Sequence, residues 1–193
     1  MCFKCGKQLD DEGRELCADC TARRHNFDRG VAAFAYSDAM KKSMYAFKYN
    51  NRREYASFYA EALLERYKEI IGGWRAQALI PVPLHPSRYR ARGYNQAEVL
   101  AREIGRRTGL SVDTDTLVRT KKTTPQKELN DRERNINIEN AFQIAKNDVK
   151  YKSVIVVDDI YTTGATIDEC ALTLKAGGAD AVYFVSVCIG NGF

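Results

Sequence analysis

The residues with the most chemistry in this 193-residue chain lie between Val154 and Thr166, which read VIVVDDIYTTGAT. Asp158 and Asp159 stand side by side, and Thr162, Thr163, Gly164, Ala165 and Thr166 follow two residues later. Four β-branched residues, Val154 to Val157, precede the acids without alternation, as in a central parallel strand buried on both faces. A helical pattern begins after the threonines. N–H groups at a helix start lack intrahelical partners and carry partial positive charge, so they suit a phosphate. The threonines add hydroxyl donors, and Gly164 lets the backbone approach closely. Two carboxylates beside a phosphate cradle would repel it, unless they hold sugar hydroxyls or a divalent cation. A ribose 5-phosphate answers that combination. In the plainer reading the strand is simply core and the acids cap the next helix.

A second constellation sits at the N-terminus. Cys2 and Cys5 form one CxxC, Cys17 and Cys20 another, with eleven residues between them. Each pair can turn two thiolates to one side, so two pairs complete a tetrahedral four-sulfur metal site. The intervening loop is charged and short of apolar residues, so the metal would supply its folding energy. With all four positions filled, the pattern points to a structural zinc; a redox pair and an iron–sulfur cluster are the alternatives. Cys170 and Cys188 stand alone in apolar periodic segments and read as small buried hydrophobes.

The elements that must position these groups alternate between strand and helix. A strand is expected over Arg29–Tyr36, then a helix Ala39–Phe47 capped by Asp38, a helix from Glu54 to Ile71 stopped by Gly72-Gly73, and a strand Ala78–Pro81. Lys48, Arg52 and Arg53 form a basic run that reads as a solvated face rather than an anion site. Prolines at 81, 83 and 86 stiffen a loop ahead of Arg88, Arg90 and Arg92, and a helix follows to about Thr108. For His85 in that loop, a stabilising hydrogen bond is expected rather than general-base work. A strand near Thr116–Arg119 leads into a long polar, basic loop that includes Arg132 and Arg134. After the central strand come a helix bearing Ile167, Cys170, Ala171 and Leu174, and a buried strand Ala181–Ile189. This alternation predicts a parallel α/β sheet flanked by helices, with its site at the C-terminal ends of the strands. Domain limits are expected at 1–27 for the cysteine segment and 28–193 for the main domain.

Composition sets outer bounds. Hydrophobic residues make up 45% and charged residues 28% of the chain, as in a globular protein with ample core. No apolar run approaches a membrane span and the first residues lack a signal-peptide apolar region, so the expected location is the cytoplasm. A net charge of +5 admits anionic partners, nucleic acid included. Basic runs at Lys41–Arg53, Arg88–Arg107 and Arg119–Arg134 are interleaved with Tyr45, Tyr49, Tyr89 and Tyr94, a combination that can track a backbone and stack bases. The flatter alternative makes those tyrosines partly core and those charges partly solvated.

The Val154–Thr166 stretch matches, position by position, the motif with which type I phosphoribosyltransferases bind phosphoribosyl pyrophosphate (PRPP). Four further segments carry the comparison across the chain: the double CxxC, FKYN (Phe47–Asn50), PVPLHPSRYRARGYNQAEVLA (Pro81–Ala101) and TPQKELNDRERNINIENAF (Thr124–Phe142). Taken together, the chain resembles the ComF/ComFC family, competence-associated phosphoribosyltransferase-like proteins with an N-terminal zinc-finger-like segment. The resemblance implies a type I phosphoribosyltransferase fold. It also implies that Asp158 and Asp159 take the ribose hydroxyls and Thr162 to Thr166 the 5′-phosphate. Arg88, Arg92, Arg119, Arg132 and Arg134 would take the pyrophosphate, with Mg²⁺ bound alongside PRPP and a structural Zn²⁺ on the cysteines. It further implies a part in handling transforming single-stranded DNA, in company with competence proteins. An active PRPP-dependent transferase of nucleotide metabolism, with an unidentified acceptor, is the alternative.

Overall fold

The computed structural model describes residues 1–11, 13–121, 137–145 and 149–190. Its backbone is a five-stranded parallel sheet in the order β1-β7-β6-β2-β3, formed by β1 (Arg29–Ala35), β2 (Ala78–Pro81), β3 (Ser111–Val112), β6 (Ser153–Tyr161) and β7 (Ala181–Ile189). The α/β class and the parallel sheet expected from the sequence are both present. A separate antiparallel ribbon, β4 (Leu117–Arg119) with β5 (Phe142–Ile144), was not foreseen; its strands flank the stretch expected to be a long loop. Most of that stretch, with Arg132 and Arg134, lies outside the described residues.

Helices cover both faces of the sheet, and strand parity decides which side chain meets which layer. Ile155 and Val157 of β6 join Val185 and Val187 of β7 in a core shared with α2 (Asp38–Tyr49), α3 (Tyr55–Gly73) and α5 (Gln96–Thr108). Val154 and Val156 face the other way, into a core shared with α6 (Ala165–Ala176), the β4–β5 ribbon and the cysteine segment. A strand buried on both faces needs no polar alternation, which is why VIVV is continuous.

Local chemistry sets the element ends with small departures from expectation. Ser37, not Asp38, caps α2, its hydroxyl accepting from the Met40 N–H at 3.3 Å. Gly72 and Gly73 form the last turn of α3 rather than its stop. Pro86 at the first position of α4 (Pro86–Arg92) places Arg88, Arg90 and Arg92 on a helix where a loop was expected. Phe58, although at core spacing on α3, projects into solvent. Among the described residues, no helix is long and apolar enough to cross a membrane.

Candidate functional site

Strand β6 outruns its neighbour. Pairing with β2 ends at Pro81 opposite Val157, closed by the Val82 N–H donating to the Val157 carbonyl at 2.9 Å, while β6 continues to Tyr161. From β2 the chain moves through α5 to the edge strand β3. From β6 it moves through α6 to β7 on the opposite side. The β2–β6 junction is therefore where the strand order diverges, and such crevices at the strands' C-terminal ends are where α/β sheets bind ligands. Asp158 and Asp159 are the next two residues past that point. They lie on the strand itself and so project to opposite faces.

Asp159 is almost fully buried on the α2 side, and its Oδ2 lies 2.9 Å from the Lys48 ammonium at the end of α2. Burial pulls Lys48 down, but Asp159 and then Asp158 more than offset this and hold it above the ordinary lysine value. Lys48 is thus no part of a solvated basic face, because a buried carboxylate requires its charge. Only the FKYN segment hinted at this in the sequence.

Asp158 is half-buried, and its Oδ1 accepts the Asp159 N–H at 2.8 Å. Burial, and then the Asp159 charge, push it up to about 7 against the pull of Lys48 and Arg119. Arg119, at the end of β4, is lowered by burial and then by the nearby Arg88 charge, with Asp158 opposing. Its guanidinium also lies 5.3 Å from the Phe142 ring. The predicted arginines thus divide. Arg88 and Asp158 lie near enough to Arg119 for their charges to act on it, Arg92 turns toward Tyr49 and Gln96, and Arg90 is exposed.

Thr162 to Thr166, expected to take a phosphate, run from β6 into α6. Gly164 precedes the helix with φ +82°, and a Cβ there would sit 2.6 Å from the Tyr161 hydroxyl, so both conformation and space call for glycine. No side chain caps the α6 start, and Thr162, Thr163 and Thr166 remain partly exposed. Backbone N–H groups at a helix start of this kind suit an oxyanion.

The RGYNQ segment proves to be a clamp. The Tyr94 hydroxyl donates to the Phe47 carbonyl, Asn95 Nδ2 donates to the Val82 carbonyl at 3.0 Å, and Asn95 Oδ1 caps α5 at Ala97 N. Gln96 accepts from Arg92. These bonds tie the end of α2, and hence Lys48, to the end of β2. His85 meets the expectation, with Nδ1 accepting from the Ser87 N–H at 3.2 Å as the cap of α4.

The four N-terminal cysteines are buried, and their sulfurs lie within 4.8 Å of one another. Cys5 and Cys17 are 3.7 Å apart, close to the edge of roughly 3.8 Å that a tetrahedron with Zn–S of about 2.3 Å requires. Gly6, at φ +79°, turns the first knuckle so that its N–H reaches the Cys2 carbonyl, and the Cys17 N–H donates to Cys2 Sγ at 3.3 Å. The donor set and spacing fit a metal such as zinc. The cluster is continuous with the sheet core through Phe27, which packs edge-on against Tyr161 and Phe184. His25 Nδ1 and the Asn26 N–H both meet the Asp168 carboxylate in the first turn of α6, at 2.6 and 2.7 Å. The sequence signalled the cysteines but not this brace.

No protein-family model matches the chain. Among curated proteins, it is 30% identical to Competence protein F of Haemophilus influenzae, over 94% of this chain and 81% of that protein. It is 30% identical to DNA utilization protein YhgH of Escherichia coli, over 97% of this chain and 83% of that one. With Competence protein ComFC of Streptococcus pneumoniae the identity is 29%, covering 94% and 84%.

Proposed function

The chain belongs to the ComF/ComFC family, and on that premise we propose that it binds PRPP with Mg²⁺ at the end of β6 and handles transforming single-stranded DNA in natural competence. The names of its relatives, competence and DNA utilization proteins, support the biological half of this reading. One observation carries the chemical half: an acidic pair at the strand-order divergence, followed by an uncapped helix start whose glycine sits at positive φ. In this reading the Asp158 and Asp159 carboxylates orient the ribose hydroxyls, and the α6 start with Thr162, Thr163 and Thr166 takes the 5′-phosphate. Arg88 and Arg119 face the pyrophosphate, whose arrival would relieve their mutual repulsion. Bound Mg²⁺ supplies further positive charge to the pyrophosphate. Lys48 positions Asp159 through their ion pair, with no contact to substrate needed.

Should the site turn PRPP over, the same carboxylates would stabilise positive charge developing at the anomeric carbon as pyrophosphate leaves. The intact acidic pair favours this second reading. The test is calorimetric titration of Mg–PRPP into the metal-loaded protein and into Asp158→Asn/Asp159→Asn. Binding to the former, with affinity at least roughly tenfold weaker in the latter, is the expected result, since each charged hydrogen bond contributes about 1.5–3 kcal/mol. Absence of heat in a folded wild-type sample would reduce the motif to scaffold.

A further inference from the structure

Helix α2 buries Met44 and Phe47 and turns Lys42, Tyr45 and Tyr49 outward at i, i+3 and i+7. Tyr45 and Tyr49 are 60% and 58% exposed, yet their ring centroids are only 5.0 Å apart. The Arg92 guanidinium extends the row, 5.0 Å from the Tyr49 ring and held there by Gln96. Tyr89, one turn earlier on α4, is 49% exposed. A lone exposed aromatic needs no account. This is a row of rings and a guanidinium, and it begins one residue from Lys48, the partner of Asp159.

The charges around the row are unlike those farther out. Lys41 pairs with Asp38 and Arg52 with Glu54. Among the described residues, no carboxylate lies within ion-pair distance of Lys42, Arg90 or Arg92. Open π-faces beside uncompensated cations match a polyanion whose flat bases are free to stack, which is single-stranded nucleic acid. A small-molecule site would enclose most of its ligand, and rings more than half exposed do not. A polymer instead gathers affinity over successive open contacts.

We propose that Tyr45, Tyr49 and Arg92 form a base-stacking rim for single-stranded nucleic acid, with Tyr89 extending it and Lys42 and Arg90 beside the phosphates. Tyr94, buried and bonded to Phe47, takes no part. This rests on the DNA-handling reading above and gives it a location at the mouth of the acidic site, so that nucleic acid and PRPP would meet neighbouring surfaces.

The experiment measures fluorescence anisotropy of a labelled oligo-dT on the full chain at several salt concentrations. Tyr45→Ala/Tyr49→Ala should bind roughly 10- to 100-fold more weakly with an unchanged salt slope, because stacking is removed and the charges remain. Tyr45→Phe/Tyr49→Phe, which keeps both rings, should stay within about twofold of wild type. Equal affinity for the Ala and wild-type proteins would overturn the rim while leaving DNA handling intact. A Phe variant that loses as much as the Ala variant would also overturn it, since rings would then not be what binds. A wild-type protein with no oligo-dT affinity at moderate salt would overturn the rim and the DNA-handling reading together. PRPP titration of the same variants separates this result from failure of the PRPP site.

Discussion

The cysteine cluster and the acidic end of β6 share one aromatic joint, Phe27 against Tyr161, but they are finished to different degrees. At the cysteines four sulfurs face one another, and the buried Lys7 ammonium meets Asp19 at 2.5 Å. At the strand end like charges are crowded instead. The Asp159 charge adds to burial in raising Asp158, and the Arg88 charge adds to burial in lowering Arg119. A closed site of the first kind stabilises a fold. Like charges held close in a crevice cost stability and are kept where a ligand will separate them. The difference is the one expected between a metal-held support and the ligand site proposed above.

The largest effect should come from the closed side. Removing metal from the purified protein with a strong chelator should lower its melting temperature by at least about 10 °C, since structural zinc contributes folding free energy directly. Four of the six cysteines should then react with a thiol reagent, with Cys170 and Cys188 protected in the core. The brace from His25 and Asn26 to Asp168 carries the damage to the start of α6, so PRPP affinity should fall as well. A protein purified without metal that melts at the same temperature with and without chelator would break the comparison.

Lys48 sharpens it from the other side. Lys48→Met leaves the Asp159 carboxylate buried without its cation, a change expected to cost about 3 kcal/mol in denaturant unfolding. Lys48→Arg should recover most of that. A Met variant as stable as wild type would mean that Asp159 finds water or another cation, and the ion pair would lose its positioning role.

These expectations draw on different kinds of legibility. VIVV announced its strand because burial on both faces removes alternation, and the CxxC pairs announced a metal because few other contexts need four thiols so spaced. The end of α5 near Thr108 followed from periodicity, and Gly109 closes it in the left-handed region. Lys48 was hidden because its partner lies over a hundred residues away, and an isolated lysine in a basic run looks solvated until the sheet delivers Asp159 to it. RGYNQ was visible as a motif but not as a clamp, since its hydrogen bonds end on the carbonyls of Phe47 and Val82, groups every sequence has. That Asp158 and Asp159 belong to the strand itself was not stated by the sequence: the unequal lengths of β2 and β6 let polar residues sit in strand conformation, paired to β7, beyond the last pairing with β2.

The smallest effect has the opposite sign. Asp158 holds its proton to about pH 7 in the folded protein, against an ordinary value of 3.8. Between those values the folded state binds a proton that the unfolded chain has released, so this group's contribution to stability falls as pH rises from about 4 to 7 and is level above that. Asp158→Asn removes the titration. It should therefore match wild type most closely near pH 4 and exceed it by about 2 kcal/mol at pH 8, a figure below the full shift because Asp159, Lys48 and Arg119 readjust. Urea midpoints of the two proteins at pH 4.5, 6 and 8 measure it. Curves that run parallel across that range would mean Asp158 is ionised and accommodated in the unliganded protein. The acidic end would then be as settled as the cysteine cluster, and the strain assigned to it would have to reside in Arg88 and Arg119 alone.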